Sequence, residues 1–203
     1  MKIGPKYKIA RRLGVPIFEK TQTEKFVLRE TRRAKNMRRG KRPRSRSNFA
    51  LQLLEKQKVR YTYGISERQF SNYVKSALEK KGNPADLLYN ALESRLDNVL
   101  YRAGFAKTRR MARQMASHGH AVVNGVRTNI PSYALNEGDV VEIRDGSKGK
   151  TIFENVAERE NANIPKWLTV DQKKMSIKIG SIPGFDSTEN IFSLVSVIEF
   201  YSR

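Results

Sequence analysis

Between residues 95 and 144 the apolar positions change period, and the change predicts two short helices, a hairpin and a closing strand. Leu96, Val99, Leu100 and Ala103 repeat at helical spacing, and Gly104 stands where that helix stops. Ser94, with Asp97 after it, has the form of a capping box. Thr108 suits an N-cap, and the second helix runs from Arg109 to Ser117 before a stop at Gly119. With successive residues about 100° apart, Arg109, Arg110, Arg113, Gln114 and Ser117 share one sector. Met111, Ala112, Met115 and Ala116 occupy the opposite one. His120-Ala121-Val122-Val123 is strand-like, Asn124-Gly125 is a strong hairpin signal, and Val126-Arg127-Thr128 leads back out. Ile130-Pro131 breaks the run, Asn136 to Asp139 makes a turn, and Val140 to Arg144 forms the last strand.

Upstream, Asn48 caps a helix from Phe49 to about Lys58 that points Leu51 and Leu54 inward and leaves Lys56, Lys58 and Arg60 outside. Ser66 to Gln69 reads as a capping box, and Phe70, Tyr73, Val74, Ala77 and Leu78 form an apolar stripe that ends after Lys80 and Lys81 at Gly82. Phe70 and Tyr73 are read as core rather than as platforms for bases. Asn83-Pro84 opens a third helix with Leu87, Leu88, Ala91 and Leu92 on one face. Downstream, residues 145–150 read as a loop and Thr151 to Ala162 as a helix burying Ile152, Val156 and Phe153. Ile164 to Leu168 is extended, with the single tryptophan, Trp167, buried. Lys174 to Ile179 and Leu194 to Tyr201 alternate like strands that join the module's sheet or pack on the helical segment. The class is α+β. A basic arm (1–47), a helical domain (48–93), a compact module of helices on a small, mostly antiparallel sheet (94–145) and a tail of helix and strands (146–203) follow in order.

Composition narrows the partner. The 203 residues are 38% hydrophobic, enough for one domain or two small ones, and no apolar run reaches the ~18 residues a membrane span needs. Met1-Lys2-Ile3-Gly4-Pro5 lacks an apolar signal core, so no export is expected. The absence of cysteine excludes disulfides and thiolate metal sites, and His118 and His120 have no neighbouring acids to complete a metal site. Net charge is +20 and unevenly spread. Residues 1–50 hold 17 Lys and Arg against 3 acids, whereas residues 151–203 hold 6 against 7. Such a gradient points to a polyanion. Nucleic acid fits better than a membrane surface, because the basic segments lack an apolar face rich in Trp, Phe and Leu. The arm is expected to be extended, its charges ordering against phosphate, apart from a helix over Thr23 to Asn36.

A solvated helix face normally mixes signs, but the sector of Arg109, Arg110, Arg113, Gln114 and Ser117 has three arginines and no acid. Rigidly held arginine suits bidentate phosphate binding and stacking on bases. Lys107, His118, Asn124 and Arg127 flank that helix and complete the first set of RNA-binding candidates. Lys56, Lys58, Arg60, Arg68 and Lys75 form a second set, and Lys6, Arg11, Arg12, Arg42, Arg44 and Arg46 of the arm a third. No phosphate-cradling glycine loop, metal cluster or nucleophile–base pair stands out, so no enzyme and no cofactor is expected.

The basic helix, the Val123-Asn124-Gly125 hairpin and the Gly138-Asp139-Val140-Val141 strand resemble a small RNA-binding module. That module is shared by a bacterial-type ribosomal protein, some pseudouridine synthases and tyrosyl-tRNA synthetases. The flanks are similar to one host: Leu54 to Arg60, Tyr63 to Phe70, Glu93 to Val99, Pro165 to Leu168 and Val197 to Arg203 resemble the ribosomal protein four family of the bacterial or plastid small subunit. Gly4-Pro5-Lys6 and Arg11-Arg12 fit its start. Many members carry a zinc-binding cysteine cluster in the arm, so the resemblance implies a zinc-free variant here. It further implies a primary binder of the five-prime domain of small-subunit rRNA that nucleates assembly of the subunit body. Its place would be near the channel through which mRNA enters, touching mRNA and ribosomal protein five of the small subunit and affecting decoding accuracy. Neither a membrane partner nor a homo-oligomer is expected, and the location is cytoplasmic, or the plastid stroma if organellar. The alternatives are an RNA-modifying enzyme or a stress factor built on the same module. Arg95-Leu96-Asp97 resembles the segment around the catalytic aspartate of pseudouridine synthases, but the 58 residues after Asp145 leave little room for a catalytic domain of ~100–200 residues.

Overall fold

The computed structural model describes residues 3–38, 47–153, 164–185 and 190–202. In chain order it contains α1 (Lys6–Leu13), a short 3-10 turn (Glu19–Thr21), α2 (Glu24–Arg38), α3 (Asn48–Tyr63), α4 (Glu67–Glu79) and α5 (Pro84–Glu93). There follow α6 (Leu96–Arg102), α7 (Arg109–Ser117), β1 (Ala121–Val123), β2 (Val126–Thr128), β3 (Val140–Ile143), α8 (Asp145–Lys148), β4 (Leu168–Asp171), β5 (Ser176–Ile179) and α9 (Leu194–Tyr201). Contacts divide the chain into two units. One runs to Ala85 and resumes with the C-terminal segment, and the other is Asp86–Phe185. The fold is α+β.

The first unit departs from the sequence reading at both of its ends. Where the arm before Thr23 is expected to be extended, α1 and the 3-10 turn stand. Apolar residues explain it: Ala10, Phe18 and Phe26 form a buried cluster against which Ile3, Ile9 and Tyr61 pack. Arg11 offsets part of the self-repulsion by donating to Glu30 at 2.9 Å. The expected helix over Thr23 to Asn36 is present as α2. Ser47, not Asn48, caps α3, its hydroxyl accepting from the Ala50 N–H, and the helix runs past Lys58 to Gly64, whose φ of 62° ends it. Ser66 caps α4 as expected, but the helix ends at Glu79, before the two lysines.

At the other end, the stretch expected to be a strand is the helix α9. Leu194 and Val197, one turn apart, are both buried, and the Ser193 hydroxyl caps the helix by accepting from the Ser196 N–H at 3.3 Å. It lies along α3: Gln52 donates to Glu199 at 2.9 Å and the Ser193 N–H to Glu55 at 2.9 Å. Phe200 packs on Phe49, and Tyr201 on Phe70. This helix overturns the exposure expected for Lys56, which is buried beneath the Phe200 ring at 4.7 Å and donates to Glu67 at 2.7 Å. Arg60 and the Tyr201 hydroxyl donate to the same carboxylate at 3.1 and 2.9 Å. Lys58 turns back to Glu55 at 2.6 Å.

In the second unit, five antiparallel strands form one sheet in the order β2-β1-β3-β5-β4. Its inward residues Ala121, Val123, Val141, Ile143, Ile177 and Ile179 meet Leu96, Val99, Leu100 and Phe105 beside α6, and Ala112, Met115 and Ala116 of α7. The Asn124-Gly125 turn takes φ of 49° and 81°, both in the left-handed region that a tight hairpin demands. Residues 145–148, read as a loop, form the short helix α8. Residues 151–153 make a turn that buries Phe153, while the remainder of the helix expected to Ala162 lies outside the described residues. Trp167 is only half-buried, packed against the core. The capping box expected at α6 is absent: Ser94 donates back to Asn90 at 2.6 Å, and Asp97 faces arginines instead.

Glu67 ties α3, α4 and α9 together, and its titration sets a pH dependence. Burial raises its carboxyl pKa, but hydrogen bonds from Lys56 and Tyr201 and the charges of Lys56 and Arg60 outweigh this and hold it below its ordinary 4.5. A depressed acid stabilises the fold above that value and ceases to do so as pH falls through the folded pKa. Glu67→Gln is therefore expected to cost roughly 1 kcal/mol at neutral pH, a modest figure because water screens the half-exposed carboxylate. Urea unfolding should show the gap between the two proteins closing well below pH 4.5.

Candidate nucleic-acid interface

The helix α7 begins where Thr108 accepts from the Met111 N–H at 3.1 Å, as its sequence predicts. Its apolar side is in the core, which turns the opposite side outward. That side does not present three equivalent arginines. Arg113 donates to Asp97 through Nε at 2.8 Å and through Nη2 at 2.7 Å. Arg95 donates to the same carboxylate at 3.0 and 2.9 Å. Arg109 Nε donates to the Asn98 side-chain Oδ1 at 2.9 Å while its guanidinium lies 4.4 Å from the centre of the Tyr101 ring. Asn98 in turn donates to Glu93, which also receives two bonds from Arg102 at 2.9 Å. Glu93 and Asp97, both buried, thus anchor the inner edge of the basic face. Arg110, Gln114, Ser117 and Lys107 are exposed beyond it.

At the C-terminal end of α7, Gly119 adopts φ of +67° and its N–H donates to the Ala116 carbonyl at 2.8 Å. Arg127 of β2 reaches across this turn, its Nε donating to the Gly119 carbonyl at 3.2 Å, and so sits where the helix dipole favours a cation. A Cβ on Gly119 would stand 2.5 Å from Arg127 Nε. Beside it, buried His120 places Nδ1 2.9 Å from the Ser147 hydroxyl. Burial lowers the His120 pKa, and the charges of Lys150, His118, Arg127 and Arg144 lower it further. The imidazole is therefore neutral near pH 7. Arg144 and Lys150, both exposed, were not among the sequence candidates; they lie at a strand end and in a turn, where no periodicity gives direction.

Asn124 is placed differently from the expectation that the hairpin presents it. Its amide donates to Asp139 at 2.8 Å and its carbonyl accepts from the Val140 N–H at 2.9 Å, so both ends lock two turns together. Of the remaining candidates, Lys56, Lys58 and Arg60 are committed to carboxylates, and Lys6 and Arg11 lie over the rings of Phe18 and Phe26. Arg12, Arg68 and Lys75 are exposed in the first unit. Arg42, Arg44 and Arg46 lie outside the described residues. Among the described residues no helix is long and apolar enough to cross a membrane, and no three His, Cys, Asp or Glu group to hold a metal ion.

Two substitutions test this framework. Asp97→Asn keeps the side-chain shape but leaves Arg95 and Arg113 without their charge partner, and an expected loss of about 3–5 kcal/mol should appear in chemical denaturation. Gly119→Ala should cost about 1 kcal/mol in chemical denaturation for its left-handed backbone and displace Arg127 from the Gly119 carbonyl.

Residues 1–93 match the model of the ribosomal protein S4/S9 N-terminal domain, and residues 94–141 match the S4 domain. The chain is 42% identical over 202 residues to a small ribosomal subunit protein uS4 from Persephonella marina, covering 98% of each. It is 43% identical to the uS4 protein of Chromobacterium violaceum and 38% to that of Chloroflexus aurantiacus, in each case covering 99% of this chain and 98% of the relative.

Proposed function

The chain belongs to the small ribosomal subunit protein uS4 family, and from that premise we propose that it is a structural, rRNA-binding constituent of the small subunit. The observation that carries the proposal is the basic cluster at the C-terminal end of α7: Arg127 donates to the Gly119 carbonyl, the Arg144 N–H donates to the His120 carbonyl, and Arg144, Lys150 and, on the same helix, Arg110 are exposed. Cations held on a helix, a strand and a turn of one core cannot follow a flexible strand. They suit phosphates already fixed in place by folded RNA. On this reading the target is a multi-helix junction in the five-prime domain of the rRNA, bound early enough to nucleate the subunit body. Contacts with ribosomal protein five and with mRNA near its channel, and an influence on decoding accuracy, extend the same reading.

A pseudouridine-synthase-like reading of Arg95-Leu96-Asp97 would need Asp97 as a reacting carboxylate. Asp97 accepts from Arg95 and Arg113 through both oxygens and its side chain is 4% exposed, an arrangement that supports a structural role.

Equilibrium binding to the five-prime domain, with an equally long structured RNA as competitor and salt varied, tests the proposal. Binding should resist the competitor and weaken steeply with salt; equal affinity for both RNAs would leave charge without recognition. Arg110→Ala should reduce the slope of log affinity against log salt by about one unit, as expected for one lost phosphate contact. The same change at Lys174, exposed in the β4–β5 turn, should leave it unaltered.

A further inference from the structure

Asn98 and Tyr101 stand one turn apart on α6, so they share one of its faces. Both meet the side chain that opens α7: Arg109 Nε donates to Asn98 Oδ1 at 2.9 Å, and the guanidinium lies 4.4 Å from the centre of the Tyr101 ring. The orientation of the Asn98 amide is forced. Its nitrogen donates to the Glu93 carboxylate at 2.9 Å and to the Glu93 backbone carbonyl at 3.0 Å. Both of those groups can only accept, so the amide oxygen must face Arg109. Glu93 is fully buried and Asn98 is 2% exposed, which makes the amide part of the core. Arg102 meets the charge of Glu93 with two bonds of 2.9 Å.

Helix stability does not account for a cation at this place. Arg109 is the first residue of α7, where the helix dipole favours anions and disfavours positive charge. Arg109 is also half-buried, whereas Lys107 and Arg110 beside it in the chain are exposed. Its supports differ in kind from those of Arg113. Asp97 holds Arg113 with a charge that offsets Arg113's own, while Asn98 and the ring hold Arg109 with neutral groups.

We propose that Asn98 and Tyr101 are positioning residues for RNA binding, which preset the Arg109 guanidinium to receive one RNA phosphate at the start of α7. The proposal rests on the rRNA-binding reading. A guanidinium binds phosphate through a planar fork, so its plane must be aimed. The Tyr101 ring sets that plane, and the bond to Asn98 sets the rotation within it. A side chain ordered beforehand also loses less rotamer entropy when the phosphate arrives. The dipole that disfavours a lone cation here favours the anion that would join it.

The test measures the affinity of the full chain for the five-prime domain as salt is varied. Arg109→Ala should lower the slope of log affinity against log salt by about one unit, the mark of one lost phosphate contact. Tyr101→Leu keeps an apolar side chain against the core. It should weaken binding roughly two- to tenfold with the slope unchanged, because the contact survives but its side chain must be ordered on binding. Tyr101→Phe retains the ring and should bind as the wild type does. In the Arg109→Ala background, Tyr101→Leu should have no further effect, whereas a merely structural residue would weaken both backgrounds alike. Wild-type affinity in Tyr101→Leu, an equal loss in the two backgrounds, or a Tyr101→Phe as weak as Tyr101→Leu would each overturn the proposal. So would a Tyr101→Leu slope as low as that of Arg109→Ala, which would mean the contact itself was gone. Asn98→Ala should behave as Tyr101→Leu does; should it not fold, the Tyr101 variants decide. If the wild type does not distinguish the five-prime domain from the competitor RNA, the rRNA reading fails and the positioning role with it. If it does, and Arg109→Ala binds as tightly as the wild type, the positioning proposal alone fails.

Discussion

The basic helix of the module can sit on an apolar core because two buried carboxylates, Glu93 and Asp97, lie beneath its inner edge. Arg95 and Arg113 close on Asp97, Arg102 closes on Glu93, and Asn98 passes the chain of bonds on to Arg109. A buried charge is tolerable only when its partners satisfy it, and here the arginine forks do so with two bonds each to Arg95's and Arg102's acceptors. The arrangement sets the azimuth of α7 about its axis. Once that is set, Arg110 and Gln114 must project outward, and the helix terminus must meet β2.

At that terminus, backbone conformation continues the work of charge. Gly119 lets the chain turn sharply enough for Arg127 to lie across the last carbonyls, and Asn124 ties the hairpin to the turn at Asp139. Arg127 is thereby held across the helix terminus by the fold itself. A side chain fixed in this way loses less rotamer entropy when it meets a partner than a free one does.

The first unit shows why a net charge does not count free charges. Lys56, Arg60 and Tyr201 converge on Glu67, so two cations that look available in the sequence instead weld α9 to α3. Its apolar cluster of Ala10, Phe18 and Phe26 packs with Ile3, Ile9 and Tyr61. Packing of Ala10 against Phe18 joins α1 to the turn that follows it.

The sequence by itself determined what depends on neighbours within one turn or one hairpin. The capped and two-faced α7, the Asn124-Gly125 turn, the Asn83-Pro84 helix start and the charge gradient were all legible for that reason. Only the tertiary structure decided which basic residues are spent inside the fold, that Arg144 and Lys150 join the face around His120, and that the tail divides between strands β4 and β5 and helix α9. Those outcomes rest on pairings between residues as far apart as Glu67 and Tyr201, 134 positions along the chain. A local pattern carries no information on such distant partners. Leu194 to Tyr201 mixes two periods, and its burial against α3 selects the helical one.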